Sequence, residues 1–303
     1  MDGDRKESQK HSLGTEMSFV FLTTRSYSKN SSSLFNSQKT CHSCGSRRII
    51  IYGNKTTLRK TALCSQIRTD PTREIFKLKF YEQIQKIKDT LRYNSDRPLT
   101  NKGMDQQTQQ HIMETINVLE ASNPSPNPLT SQAIELLQGN WKLLYSTARE
   151  ITILSSLPVF FQLQSVYQMI DLKNRKLENR AELGIAGVIK ASVRVTGSFY
   201  PVSESTMTPP ELQEVSLDSM TRERLRKLLE ARRVNVKFQK RSWGIESIFG
   251  VPVTSLLETL RQVHVKPIVQ REPSLDITYL DESFRIGRGG DGGIFVLERY
   301  IRG

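Results

Sequence analysis

Leu275 to Arg299, LDITYLDESFRIGRGGDGGIFVLER, decides the fold. It reads as strand, tight turn, strand, glycine turn and closing strand without interruption, the way an antiparallel barrel ends. Alternation places Leu275, Ile277 and Tyr279 on one face and Asp276, Thr278 and Leu280 on the other, the period-two mark of a half-buried strand. Asp281-Glu282-Ser283 turns the chain, with carboxylates expected to cap backbone amides and stay solvated. Upstream, Gly139-Asn140-Trp141 opens another alternating strand, Trp141, Leu143 and Tyr145 against Lys142, Leu144 and Ser146, after a helix-like Ala133–Leu137. If the first and last strands pair antiparallel, Arg299 lies beside Trp141 and stacks on the indole, a contact worth about 0.5–2 kcal/mol, with Arg285 as the reserve partner.

Further strands are expected at Val166–Asp171, Lys176–Leu183, Val188–Phe199 and Val234–Lys240. With Trp141–Ser146, Ser274–Leu280, Phe284–Arg288 and Ile294–Tyr300 they make about eight, enough to close a barrel able to hold one small ligand. Val193, Val195 and Phe199 alternate with polar neighbours, as do Val234, Val236 and Phe238, so one face is apolar. Before the strands, Phe76, Phe80, Ile84, Ile87 and Leu91 recur at helical spacing, and Ile112, Ile116 and Leu119 repeat the pattern up to the Asn123–Pro128 breaker. This helical hairpin either packs its stripe on the barrel or serves as a lid or membrane contact. Ser203–Arg233 breaks the strand pattern and reads as a charged, solvated insertion with a helix from about Ser219, or else as a partner-docking element.

The net charge of +13 is concentrated at the N-terminus: residues 17–69 hold nine Lys/Arg and no Asp/Glu, and seventeen hydroxyl residues. Residues 70–303 carry only +5. An acid-free, Ser/Thr-rich basic leader is the composition of an organelle transit peptide, not of a nucleic-acid surface, with Met17 expected to open it. A disordered basic tail is the plainer alternative. The most apolar stretch, Ile151–Ile170, is broken by Ser155, Pro158, Gln162 and Gln164, so no spanning helix is expected. Cys41-His42-Ser43-Cys44 has zinc half-site spacing, yet Cys64 is the one cysteine after it, and no metal site is expected.

Gly287-x-Gly289-x-x-Gly292 matches a dinucleotide fingerprint in letters alone, because a strand rather than a helix follows it. It is expected to be a hairpin turn around Asp291. There is no nucleophile beside a base, no G-x-S-x-G and no H-E-x-x-H, and no catalytic residue or cofactor is assigned. Ile151–Leu163 follows the first strand as an apolar loop. It either folds inward as core or exposes Leu157, Phe160 and Phe161 at the mouth, where ligand or lipid could reach them.

The closing motif, with LEASNPSPNPLTSQAIELLQGNWKLLYST (residues 119–147), resembles the plastid lipid-associated proteins, or plastid fibrillins; Gly-x-Trp with a late arginine is similar to lipocalins. The resemblance runs from about Thr72 to the end, although Ser203–Arg233 is longer and more charged than the family's usual connection. It implies a mainly β chain: a lipocalin-like antiparallel β-barrel of about eight strands preceded by a helical hairpin. The divisions are a leader at 1–70, the hairpin at 71–128 and the barrel at 129–303, carrying the insertion at 203–233. The implied role is non-enzymatic binding of a carotenoid, prenylquinone or other lipid at plastoglobules or thylakoids, with peripheral lipid contact and a protein partner allowed. The lining would be Leu143, Tyr145, Val195, Phe199, Val236, Phe238, Ile277 and Tyr279, with Leu157, Phe160 and Phe161 at the mouth. A scaffold protein with a side-chain-filled barrel is the alternative.

Overall fold

The computed structural model describes residues 70–301 except 131, 159, 206–207, 254–261 and 265–272. The leader, with Met17, His42 and all three cysteines, lies outside the described residues.

Two helices come first. In α1 (Pro71–Leu91) Asp70 caps the start, its carboxylate accepting from the Thr72 amide at 3.0 Å, and Pro71 takes the first helical position, where a missing N–H costs nothing. Asp105 caps α2 (Gln106–Ala121) in the same way through the Thr108 amide at 2.8 Å. Their apolar stripes meet: Phe80, Ile84, Ile112, Ile116 and Leu119 are buried in one cluster. The hairpin therefore packs on the barrel.

The barrel follows as β1 (Gly139–Ser146), β2 (Phe161–Asp171), β3 (Lys176–Ile185), β4 (Ile189–Pro201) and β5 (Arg233–Ile248). Two short strands, β6 (Val251–Pro252) and β7 (Gln262–His264), attach to β5, and β8 (Ser274–Leu280), β9 (Phe284–Gly289) and β10 (Ile294–Arg299) complete the sheet. All strand pairs are antiparallel, and β10 on β1 with β4 on β5 closes eight long strands into a lipocalin-like barrel. The glycine motif is the β9–β10 hairpin, where Gly292 takes a φ of 87°, a conformation glycine adopts without steric cost.

Two bulges divide the core. The register slips between Leu143 and Tyr145 in β1 and between Ile277 and Tyr279 in β8, and each slip sends the next side chain to the opposite face. Leu143, Ile277 and Leu280 then belong to the interior cluster with Trp141, Leu163, Leu183 and Leu297. Leu144, Tyr145 and Tyr279 join the cluster beneath the helices. The expectation that Tyr145 and Tyr279 share a face with Leu143 and Ile277 is thus corrected, because strict alternation does not survive an extra residue in a strand.

The segment between the helices completes this layer. Leu99 donates its amide to the Leu144 carbonyl and accepts from the Ser146 amide, both at 2.9 Å, forming a parallel bridge along the upper edge of β1. Asp281, expected to stay solvated, is buried. It caps its turn by accepting from the Ser283 and Phe284 amides at 2.8 and 2.7 Å, and it also accepts from the Tyr279 hydroxyl at 2.7 Å. Lys77 of α1 forms an ion pair with it at 2.6 Å. The sequence pattern gave no warning, since Lys77 stands beside the apolar stripe.

The insertion is anchored as well. Helix α3 (Arg149–Leu154) follows β1, and α4 (Ser219–Arg232) lies within 203–233, burying Leu229 and Ala231 while Met220 and Val215 face solvent. Arg233, the first residue of β5, donates to Asp276 at 2.5 and 3.0 Å and to Glu211 at 2.9 and 3.0 Å. The reading of a wholly solvated insertion is corrected to one tied at its base.

Burial alone would raise the Asp281 carboxyl, but the Lys77 ammonium, the Tyr279 hydroxyl and the Ser283 amide hold it below its ordinary value of 3.8. A carboxylate with a depressed folded-state value adds stability that is complete above the unfolded value and is lost as pH falls through the folded one. Asp281→Asn leaves Lys77 with only the half-exposed Glu74 carboxylate, 2.9 Å away, as its counter-charge, and is expected to cost about 1–3 kcal/mol near neutral pH. The deficit relative to wild type should shrink below about pH 4. Urea denaturation of both proteins from pH 3 to 7 measures this, and a pH-independent deficit would contradict it.

Candidate functional site

Barrel closure begins with the register. Trp141 stands opposite Arg299 and beside Gln168. The indole is fully buried and donates to the Leu137 carbonyl at 3.0 Å, tying the floor strand to the 3-10 turn Gln132–Leu137. The Arg299 guanidinium lies 4.4 Å from the ring centroid. It also donates to the Gln138 carbonyl at 2.7 Å and to those of Leu136 and Glu282. Gly139, at φ 118°, is needed here, because a Cβ would sit 3.0 Å from Arg299 Nη1. This end is the floor.

Arg285 is the second cation on the indole, 4.8 Å from the centroid. Leu280 and Leu297 flank it across the strands, and both belong to the interior cluster, so the side chain points into the barrel. It is 2% exposed. One guanidinium nitrogen donates to Gln168 Oε1, Gln168 Nε2 donates to Asn179 Oδ1 at 2.8 Å, and Arg285 Nε has no partner. Burial, and then the nearby Arg299, lower the Arg285 pKa to about 9. The group remains a cation at neutral pH.

Above this floor the wall is largely apolar, with Arg241 opposite Val195 on the same face. Val195 pairs with Asn179, while Phe199 opposite Val236, and Phe238 opposite Gly197, carry the inner face down β4 and β5. Of these, Phe199 packs against the interior cluster that holds Leu143 and Ile277. Tyr145 and Tyr279 lie outside it, and burial raises both phenols. The hydroxyl of Tyr145 is bonded to Asn101 at 2.5 Å.

The segment expected as one apolar loop divides into three. Ile151 and Leu154 of α3 fold inward as core, Leu157 is half-buried against the same cluster, and Phe160 is 65% exposed. Phe161 is not in a loop but starts β2, on the inner face by its spacing from Leu163. Phe160 is joined at this end by residues that the sequence reading missed. Its carbonyl accepts from the Ala186 amide at 2.8 Å, and the Phe249 amide donates to the Val188 carbonyl at 2.7 Å, so the β2 start, the β3–β4 hairpin and the β5–β6 turn are neighbours. Phe249 and Val251 are exposed at 77% and 62%. The signal available was Ile248-Phe249-Gly250-Val251-Pro252, an apolar run broken by the Gly and Pro of a turn.

Among the described residues no cluster of His, Cys, Asp and Glu could hold a metal ion, and no helix is long and apolar enough to cross a membrane. The arrangement comprises an apolar-rimmed end, a largely apolar wall and a cationic, amide-lined floor.

A model of the PAP_fibrillin family matches residues 81–210 and 211–298. The chain is 31% identical over 202 residues to plastid lipid-associated protein 3, chloroplastic, of Brassica campestris, covering 62% of this chain and 53% of that protein. It is 29% identical over 215 residues to plastoglobulin-1, chloroplastic, of Pisum sativum, with coverage of 62% and 53%. It is also 28% identical over 239 residues to the chromoplast-specific carotenoid-associated protein of Cucumis sativus, with coverage of 74% and 68%. The chain spans about half the length of the first two. No solved structure matches it.

Trp141→Ala should cost about 3–5 kcal/mol, because it empties a fully buried indole site. Arg299→Ala should cost less, and thermal melts of the two variants rank them. A Trp141→Ala protein that melts like wild type would remove Trp141 from the closure.

Proposed function

Because the chain belongs to the PAP_fibrillin family, we propose that it is a non-enzymatic plastid lipid-associated protein whose barrel takes up a hydrophobic small molecule. The observation that carries this reading is the exposed apolar rim of Phe160, Phe249 and Val251 at one end of an apolar-walled barrel. Exposed aromatic side chains clustered at one end are suited to partition into a lipid surface, and each aromatic ring can bury about 150–250 Å² there. The ligand class comprises carotenoids, prenylquinones and other plastid lipids, and the site of action is the plastoglobule or thylakoid surface. The basic, acid-free leader and the plastid names of the relatives support the destination.

A scaffold role with a filled barrel is the second reading. It is favoured by the tightly buried interior cluster and by Met220 and Leu228, which stand exposed on α4. Lipid extraction and mass spectrometry of protein purified from plastids separates the two readings, since a filled barrel carries no stoichiometric lipid.

Replacing Phe160 and Phe249 by Ser should weaken binding to galactolipid liposomes several-fold while leaving the melting temperature within about 2 °C of wild type, because both rings already face solvent. Flotation and thermal melts test this, and undiminished flotation would place lipid contact elsewhere. A fusion of residues 1–75 to a fluorescent reporter should enter plastids and be cleaved, and intact reporter in the cytosol would contradict the destination.

A further inference from the structure

Among the described residues, buried cations find relief in two ways. Lys77 has Asp281 at 2.6 Å, and Arg233 has Asp276 at 2.5 Å with Glu211 at 2.9 Å. Lys88 is also buried and donates to the Ser95 carbonyl, but burial lowers it to about 8, so an ammonium can relieve its position by shedding a proton. Arg285 has neither remedy. Among the described residues no ion pair includes it, the Arg299 guanidinium over the same indole is a like charge, and a guanidinium does not give up its proton near neutral pH. One neutral amide oxygen and one aromatic ring are a small return for a desolvated cation with an idle Nε.

We propose that Arg285 is the head-group anchor of the barrel, binding the carboxylate of a long-chain acid whose hydrocarbon tail runs along the apolar wall toward the Phe160 rim. This rests on the apolar-ligand reading and adds the chemical class of the ligand. A guanidinium presents its donors as a planar fork that matches two carboxylate oxygens, and the interaction gains strength where water is excluded. Gln168 and Asn179 hold the fork from the β2–β3 side, because the amide oxygen that Arg285 uses belongs to a side chain fixed in turn by Asn179. From Gln168 to Phe161 the β2 wall runs seven residues, about 23 Å at the rise of an extended strand, which is the path the tail would follow. A carboxylic acid can also cross an apolar interior in its neutral form and ionise beside the cation, which a head group of permanent charge cannot do.

The experiment uses cis-parinaric acid and its methyl ester, which share a tail and differ at the head, titrated by fluorescence into wild type, Arg285→Met and Arg285→Lys. Wild type should bind the acid at least ten-fold more tightly than the ester. In Arg285→Met the acid should fall to the affinity of the ester, with the ester unchanged, and Arg285→Lys should restore part of the preference. Because the wild-type comparison requires no variant, poor folding of either substitution leaves the test intact. Equal affinity of wild type for acid and ester, or an acid preference that persists in Arg285→Met, would overturn the anchor while leaving the apolar-ligand reading standing. Failure of both probes to bind would overturn both.

Discussion

The structure depends on strands that are buried on both faces. β1 and β8–β10 carry the barrel interior on one side and the helical layer on the other, so they cannot follow the simple in-and-out alternation of a half-solvated sheet. Bulges after Leu143 and after Ile277 solve the problem by handing consecutive side chains to different cores. Leu143 and Leu280 fill the barrel while Tyr145 and Tyr279 meet Phe80, Phe284 and their neighbours beneath the helices. Phe284 makes edge-on contacts with Phe80 at 5.7 Å and Tyr279 at 5.9 Å, so the second core has an aromatic centre of its own. Remove that layer and half the apolar surface of four strands would face water.

Much of this was legible in the sequence, and what was not has a common cause. Strand order, the helical hairpin and the meeting of Trp141 with Arg299 follow from periodicity and from the geometry of antiparallel closure, which are local or nearly local properties. The faces of Tyr145 and Tyr279 were misread because a bulge leaves no mark in composition. Asp281 was read as a solvated turn residue, since nothing in Asp-Glu-Ser announces a lysine arriving from about two hundred residues earlier. Phe249 and Val251 escaped notice because β5 runs on to Ile248, past the end of its clear alternation, and their turn is placed only by pairing with β4. Long-range contact therefore decided each of these positions.

The interior joins two chemistries that the primary structure keeps apart. Most of the wall is aliphatic and aromatic, which selects for size and apolarity and discriminates weakly among ligands of similar shape. Polar groups at the floor, where water is excluded, can discriminate far more sharply, since a group left unpaired there costs more than it would at the surface. A ligand taken up by this barrel would thus be discriminated chiefly at the closed end, near Trp141, and admitted at the rim.

The bridge made by Leu99 has a consequence beyond packing. Above Lys142, β2 diverges from β1, and the carbonyl of Leu144 and the amide of Ser146 would otherwise form an open strand edge. Such an edge is a template for another chain to add to, and proteins that gather at high density on a surface are the most exposed to that hazard. By laying one residue of the inter-helix connection along it, the fold makes its N-terminal segment a guard against polymerisation, so that loss of the helices would threaten solubility before it threatened the barrel itself.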